Sequence, residues 1–353
     1  MKNKLLPFAI LIIYLCSSFA ACKTQSSTLD DIRLSIIDSG MIYKEAPFPS
    51  CHASTVLSTE SGILAAWFGG THERHPDVCI YLSTLQGNNE WTTPQLVADG
   101  IVNDTLRYPC WNPVLYELDN KDIVLFYKVG PSPQEWWGVY KLSKDGGTTW
   151  GEAVELPKGF LGPIKNKAVR LADGTILCPS SNETLKEEWT SFVETVDQSM
   201  TNWNKYELDN DTMNAIQPTI LFHPNNTLQM LCRTRNRVVA QAWSVDNGKT
   251  WTKLQPSNLP NNNSGVDAVT LPNGMHLLIY NPLLGIDYSR DRNKLSIAAS
   301  TDGIHWKDVI SLEDQHEGEF SYPAMIVDAT GTIYVTYTYN REQIKYAKLT
   351  LSE

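Results

Sequence analysis

The segment Ser143-Lys144-Asp145-Gly146-Gly147-Thr148-Thr149-Trp150 returns along the chain. Ser244-Val245-Asp246-Asn247-Gly248-Lys249-Thr250-Trp251 is a second full copy, and Ser300-Thr301-Asp302-Gly303-Ile304-His305-Trp306 is a third, one residue shorter. Degraded copies run from Thr195-Val196-Asp197 to Trp203 and from Ser83, through Gly87, to Trp91. The residue types are those of a tight turn between strands. Asp and Ser side chains bond nearby backbone N–H groups, Gly supplies a φ that other residues resist, and Trp packs beneath. Five such turns, ending in Trp at 91, 150, 203, 251 and 306, make a repeat with a period near 50 residues.

That period is too long for leucine-rich or ankyrin units and suits a four-stranded propeller blade. The intervals carry strand-like runs and turn clusters, with no long helical pattern. One shows the grammar: Pro113–Leu118, Asp122–Lys128, Gly138–Leu142, the turn, then Ala153–Leu156. Counting such units places blades near 52–99, 110–157, 166–208, 217–256 and 265–310, with a sixth opening at Tyr322. The sixth runs out of chain before its outer strand, which Ile32–Ile37 can supply to close the ring. The expectation is all-β: a six-bladed β-propeller of four-stranded antiparallel blades over 32–353. Two β-sandwiches in tandem are the alternative, and the even spacing without a linker counts against them.

Ahead of the repeats, residues 1–21 read as an export signal. Lys2 and Lys4 precede an apolar core, Leu5 to Leu15, and Phe19-Ala20-Ala21-Cys22 offers small residues before a cysteine. This resembles a bacterial lipobox that would leave Cys22 lipidated; simple cleavage near Ala21 and a retained anchor are alternatives. Residues 22–31 form a polar tether. The expected location is the bacterial periplasm or the outer membrane, with membrane contact through the lipid alone. Without Lys2 and Lys4 the chain carries 27 basic and 39 acidic residues, a net −12, which argues against nucleic acid as a partner. An anionic ligand must then be met by a local basic cluster. Cys51, Cys79, Cys110, Cys178 and Cys232 sit singly on apolar runs, so neither a zinc site nor a disulfide framework is expected. Nothing calls for a metal or cofactor, and a monomer is expected.

Loops at one end of a propeller's innermost strands open into a shared funnel. The polar clusters at such places are His52, Gly69–Asp77 (with His72, Glu73, Arg74, His75 and Asp77), Arg107–Asn112 (with Trp111), and Gly162–Lys167 (with Lys165 and Lys167). Gln217, the Arg233/Arg235/Arg237 run, Asp267, Arg290/Arg292 and Glu319–Tyr322 complete the ring. Among them Arg74, Arg107, Lys165, Lys167, Arg233, Arg235 and Arg292 are cations in an acidic protein. Guanidinium forks grip carboxylates bidentately, so an acidic sugar or similar anion is the expected ligand. Any one of these cations alone reads as surface charge or a salt bridge; their number is the signal.

The repeated turn resembles the Asp-box of the sialidase (neuraminidase) superfamily, also called the BNR repeat, and the six blades match that fold over essentially the whole mature chain. The resemblance implies an exo-acting glycosidase with a three-arginine clamp for a carboxylate, a tyrosine nucleophile with a glutamate partner, and an aspartate acid/base. By position, Arg233 or Arg235 resembles the second arginine, Arg292 the third, Tyr322 the nucleophile, and Asp77 the acid/base, with Glu73 as a competitor. The chain departs from the pattern twice. Phe48-Pro49-Ser50-Cys51-His52 stands where an arginine-bearing Phe-Arg-Ile-Pro signature is expected, and Gln217 stands where the tyrosine-activating glutamate is expected.

Two further readings stay open. Propeller lyases and hydrolases that cleave rhamnose from glucuronate in plant polysaccharides use a histidine, and the chain resembles them loosely. His52, His72 or His75 would then be the base and Lys165, Lys167 and Arg107 the carboxylate partners. A non-catalytic glycan-binding propeller would use Trp111, Trp136 and Trp137 to stack on sugar faces.

Overall fold

A computed structural model of the protein describes residues 29, 32–87, 89–284 and 291–352. Six four-stranded antiparallel sheets make up the molecule. The first blade is Ser50–Thr59, Gly62–Gly70, Cys79–Leu85 and Gln95–Ala98; the second is Cys110–Glu117, Ile123–Val129, Trp137–Ser143 and Val154–Glu155. The third is Val169–Arg170, Ile176–Glu183, Trp189–Val196 and Asn204–Glu207, and the fourth Ala215–Phe222, Leu228–Thr234, Val238–Ser244 and Gln255–Pro260. Asp267–Thr270, His276–Tyr280, Lys294–Ser300 and Lys307–Asp314 form the fifth. The sixth combines Phe320–Val327, Ile333–Tyr339 and Gln343–Ser352 with Arg33–Met41 from the other end of the chain, paired antiparallel from Arg33↔Ser352 to Met41↔Lys345. That pairing closes the ring and leaves no long open edge. The only helical turn among the described residues is the short 3₁₀ segment Pro224–Asn226.

Packing lies between blades. Leu64, Ile80, Leu115, Leu125 and Tyr127 fill the wedge of blades one and two; Leu177, Val193, Leu228 and Met230 fill that of three and four. Leu277, Ile297, Val335 and Leu349 fill the wedge of five and six. The aromatic set Tyr43, Trp67, Tyr81 and Tyr346 seals six against one. The first strand of blade one touches those of blades two and six, and the first strand of blade five touches those of blades four and six, so the innermost strands surround one axis.

The Asp-box turns of blades two, four and five lie against the blade before, Gly147 at Leu64, Gly248 at Leu177 and Gly303 at Gln229. In the second blade Asp145 Oδ1 accepts from Ser143 Oγ and Thr149 N, both at 2.8 Å, and the Trp150 indole donates to the Gly147 carbonyl at 3.2 Å. The copies at Asp246 and Asp302 repeat this, with indole bonds of 2.9 and 3.0 Å. The degraded copy at Asp197 keeps the pattern, with Met200 at φ 62° where glycine stands elsewhere. The Ser83 copy does not: Ser83 Oγ donates to the Thr92 carbonyl, and the Trp91 indole N–H has no partner.

Gly248, at φ 78°, lies so close to the third blade that an added Cβ would stand 2.5 Å from Leu177 Cδ1, which is buried. Gly248→Ala is therefore expected to lower stability by about 1–3 kcal/mol, from overpacking and left-handed backbone together. Denaturant unfolding checks this; an unchanged midpoint would contradict the clamp.

The turn aspartates also set acid stability. Hydrogen bonds from Thr149 and Ser143 hold Asp145 at about 2. Slight burial would raise Asp197, but bonds from Asn202, Thr201 and Ser199 outweigh it and bring this carboxyl too to about 2. Both values lie below the ordinary Asp value of about 4. Their contribution is thus present above about pH 4 and lost as pH falls towards 2. Thermal melts of Asp145→Asn against wild type should show a gap at pH 7 that closes towards pH 2; a gap independent of pH would contradict this.

Candidate functional site

Four innermost strands carry a bulge at the same level. Register shifts fall between His52 and Thr55, Trp111 and Val114, Ile216 and Thr219, and Ser321 and Ala324. Within each bulge one non-glycine residue has a left-handed backbone: Ala53 at φ 56°, Asn112 at 38°, Gln217 at 55° and Tyr322 at 51°. Three of the four precede proline, Pro113, Pro218 and Pro323, which has no N–H to leave unpaired where the ladder breaks. Each such conformation costs on the order of 1–3 kcal/mol and persists only where the surroundings impose it. Bulges of this kind re-aim side chains, and here two of them bring Gln217 and Tyr322 together.

The Tyr322 hydroxyl accepts from Arg233 Nη1 at 2.7 Å and from Gln217 Nε2 at 3.1 Å. The same Arg233 nitrogen reaches Gln217 Oε1 at 3.2 Å, and Arg233 Nε donates to Asn263 Oδ1 at 2.9 Å. Gln217 therefore presents its N–H, and no basic atom, to the phenol. Arg292 is half-buried; it donates to Glu319 Oε1 at 2.9 Å and to the Asn263 carbonyl at 3.2 Å. Glu319 takes a second guanidinium, Arg341 Nε at 3.0 Å, while Arg341 Nη1 holds Glu73. Burial pushes the Arg292 pKa down, Arg233 adds to this, and Glu319 opposes it. Burial raises the Glu319 carboxyl, but Arg341, Arg292 and Ser321 outweigh it and hold it below the usual range.

His52 packs its ring on Tyr322, centroids 4.1 Å apart. Its Nδ1 shares a hydrogen bond with Thr338 Oγ1 at 2.9 Å, and its Nε2 is buried without a partner. Burial lowers its pKa well below the ordinary value, and the charges of Arg341, Arg292, Arg233 and Lys165 push the same way. The imidazole is neutral at neutral pH. Lys165 donates to the Asn166 side chain and to the carbonyls of Val266 and Pro323, and burial brings its pKa down to about 7. Four cationic side chains thus bear on one tyrosine.

The structure separates the remaining candidates. Arg233, not Arg235, reaches Tyr322; Arg235 lies at the rim, its guanidinium 4.0 Å over the Trp189 ring and bonded to Glu187. Lys167 is taken up by Asp267 at 2.8 Å. Asp267 also receives Thr219 Oγ1 and Met325 N, so it ties four blades at the axis. Arg107 is spent on the Asp77 carbonyl and the Cys79 thiol. Arg74 is exposed and Asn112 buried. Trp111 is buried with its indole N–H on the Gly130 carbonyl, so it offers no open face to a sugar. Asp77 accepts from Thr71 N and Oγ1 and pairs with His75 at 2.7 Å. Burial raises its pKa, yet the bonds from Thr71 and His75 leave it lowered, so it staples its loop as an ionised group. Arg290 and Cys22 lie outside the described residues. The cysteines at 51, 79, 110, 178 and 232 are free and buried.

Two residues of the site were not foreseen. Arg341 sits in the tight turn Asn340-Arg341-Glu342 of the sixth blade, at φ 59°; a charged residue in a turn at the mouth end is the only sequence signal it gives. Glu183 ends the second strand of the third blade, and burial raises its carboxyl against the charges of Arg233, Arg235 and Arg74. Among the described residues no group of three or more His, Cys, Asp or Glu is placed to hold a metal ion, and no helix is long and apolar enough to cross a membrane.

The fold and site define a six-bladed Asp-box propeller with an arginine-rich cluster around Tyr322. The chain belongs to the BNR repeat-like domain family, whose model matches residues 61–335. Among solved structures it is similar to a protein of unknown function from Dyadobacter fermentans DSM 18053, at 16% identity and TM-score 0.73, over 90% of this chain and 99% of that one. A Hadza microbial sialidase is similar at 15% identity and TM-score 0.71, over 85% of this chain and 65% of that one. The intramolecular trans-sialidase from Ruminococcus gnavus matches at 15% and 0.67, over 89% and 98%. Comparison with curated proteins gave no significant match. These likenesses show the sialidase-type fold and nothing beyond the fold.

Proposed function

We propose that the protein is an exported glycoside hydrolase of the sialidase type that removes a terminal acidic sugar from a glycan. The observation that carries this reading is the hydrogen bond of Arg233 to the Tyr322 hydroxyl, with Arg292 tied to the same Asn263 that Arg233 holds and Arg341 joined to Arg292 through Glu319. Three guanidinium groups in a net-acidic chain are a site for a carboxylate. Tyr322 is the nucleophile. Its oxygen attacks the anomeric carbon, and the glycosidic C–O bond breaks. The leaving oxygen takes a proton from Glu183, whose burial keeps it protonated closer to neutrality than an exposed carboxyl. Water then releases the sugar from Tyr322, the route by which sialidases depart from the two-carboxylate rule. Gln217 cannot take the phenol proton; the neutral His52, stacked on the ring with a free Nε2, is the base available. Export rests on Lys2, Lys4 and the apolar run to Leu15, with anchoring through Cys22.

A second reading, capture of an acidic glycan without turnover, is favoured by Gln217 alone. Incubation with sialylated and uronate-containing oligosaccharides, with products followed by mass spectrometry, separates the two. Release of a free saturated acidic monosaccharide supports hydrolysis, binding without products supports capture, and an unsaturated uronate rejects both in favour of a lyase.

A further inference from the structure

The two left-handed bulges that bring Gln217 and Tyr322 together leave part of their own backbone outside the sheet ladders. Ile216 pairs with Arg233 and Thr219 with Leu231, so Gln217 and Pro218 have no ladder partner. Ser321 pairs with Thr338 and Ala324 with Thr336, which sets Tyr322 and Pro323 aside in the same way. A buried carbonyl without a donor is costly. Here the donors come from one place, the stretch that leads into the third blade. Lys165 and Asn166 stand there, each only 2% exposed. Asn166 Nδ2 donates to the carbonyls of Gln217 and Pro218, both at 3.0 Å. Lys165 Nζ donates to the Pro323 carbonyl, to the Val266 carbonyl at 3.2 Å and to Asn166 Oδ1 at 2.8 Å. Two adjacent residues thus hold the bulges of the fourth and sixth blades and the approach to the fifth, and they are bonded to each other.

We infer that Lys165 and Asn166 are positioning residues: a buried bracket that fixes the two bulges relative to each other, and so sets the Tyr322 phenol against Gln217 and Arg233, without touching the sugar. The kinetic consequence rests on Tyr322 as the nucleophile; the bracket itself rests on the hydrogen bonds. An ammonium has three N–H donors and no acceptor, and all three of Lys165 are taken by protein oxygens. It therefore keeps no donor for a substrate carboxylate. The Asn166 amide is equally committed, its oxygen to Lys165 and its nitrogen to the two carbonyls. Gly265 shows how closely the parts meet. A Cβ there would stand 3.3 Å from Gln217 Oε1, 3.4 Å from Lys165 Cε and 3.6 Å from Tyr322 Cδ2. A left-handed bulge residue is strained and keeps that state only while its surroundings impose it. Loss of either half of the bracket should let the phenol and the amide drift apart, and misplacement by about 1 Å is enough to cost on the order of 10²-fold in rate.

The test uses the full chain as wild type, Lys165→Met and Asn166→Asp. Methionine keeps the stem and removes the ammonium; aspartate keeps the acceptor for Lys165 and removes both amide donors. Crystal structures read the bracket directly. Tyr322 Oη and Gln217 Nε2, 3.1 Å apart in the intact site, should separate beyond about 3.5 Å in each variant; an unchanged contact in either overturns the inference. Thermal melts report folding: if one variant fails to fold the other decides, and failure of both makes the pair structural and overturns it too. In kinetics with the acidic glycan, kcat should fall roughly 10–100-fold while the Kd for the acidic product changes by less than about threefold. In a Tyr322→Phe background either substitution should cost nothing further, because residues that act through one group are not additive. A loss that persists in that background, or wild-type kcat in both variants, overturns the positioning role. Wild-type kcat in Tyr322→Phe itself would instead remove the nucleophile reading, and the crystal structures would then decide the bracket alone.

Discussion

In Tyr322→Phe, release of the acidic sugar should fall on the order of 10³-fold or more, the scale on which loss of a nucleophile is felt, while the glycan stays bound. The phenol oxygen is where the Arg233 and Gln217 donors meet, and the substitution removes only that atom. The ring remains, with its His52 contact and its place in the bulge, so the cationic wall keeps its geometry. Kinetics should therefore show kcat lost with the Kd for the acidic product changed by less than about tenfold, a difference worth about 1.4 kcal/mol. A variant with wild-type kcat would remove Tyr322 from the chemistry and move attention to His52.

Arg292→Ala and Arg233→Ala should act in the opposite sense, on binding. Each guanidinium is held by fixed partners, Glu319 and Asn263, before any ligand arrives. Its remaining donors are thus oriented in advance, which is how an anion site gains affinity without an ordering cost. Truncating one member of a buried charged network costs about 2–5 kcal/mol, so affinity for the acidic sugar should drop roughly 30-fold or more. Arg233→Lys should fail as well, because one ammonium cannot span Tyr322, Gln217 and Asn263 as the planar fork does. Titration with the acidic sugar reads this directly. Unchanged affinity in both alanine variants would exclude the axial cluster as the carboxylate site.

The architecture was legible because the Asp-box writes the same physics into the sequence each time. Asp145, Asp246 and Asp302 bond the turn, Gly is left-handed and Trp caps it, so local chemistry alone marks blades two, four and five, and their spacing gives the rest. Tyr322, Gln217 and Arg292 were also readable, since each sits at a fixed place relative to a blade. Arg341 was not. It lies in an ordinary turn, and its partners Glu73 and Glu319 are 268 and 22 residues away. Arg233 and Arg235 could not be told apart by spacing; the Leu228–Thr234 strand ends between them, and only the first stays inside the wall. Arg107, Lys167 and Trp111 were credited to the site by type and position. Each is instead absorbed by a contact that no local pattern encodes: the Asp77 carbonyl, Asp267, and the Gly130 carbonyl. The left-handed bulges were hidden for a related reason, since Asn112, Gln217 and Tyr322 share a backbone state and not a residue type.

Paired titrations of one acidic oligosaccharide and its carboxyl methyl ester into the wild-type chain bear most directly on the arginine wall around Tyr322. Esterification removes the charge and one acceptor that the guanidinium groups would engage, and hydrogen bonds to charged groups are worth about 1.5–3 kcal/mol each. The ester is expected to bind at least about tenfold more weakly than the acid; equal affinities for the two would contradict a carboxylate site at the axis.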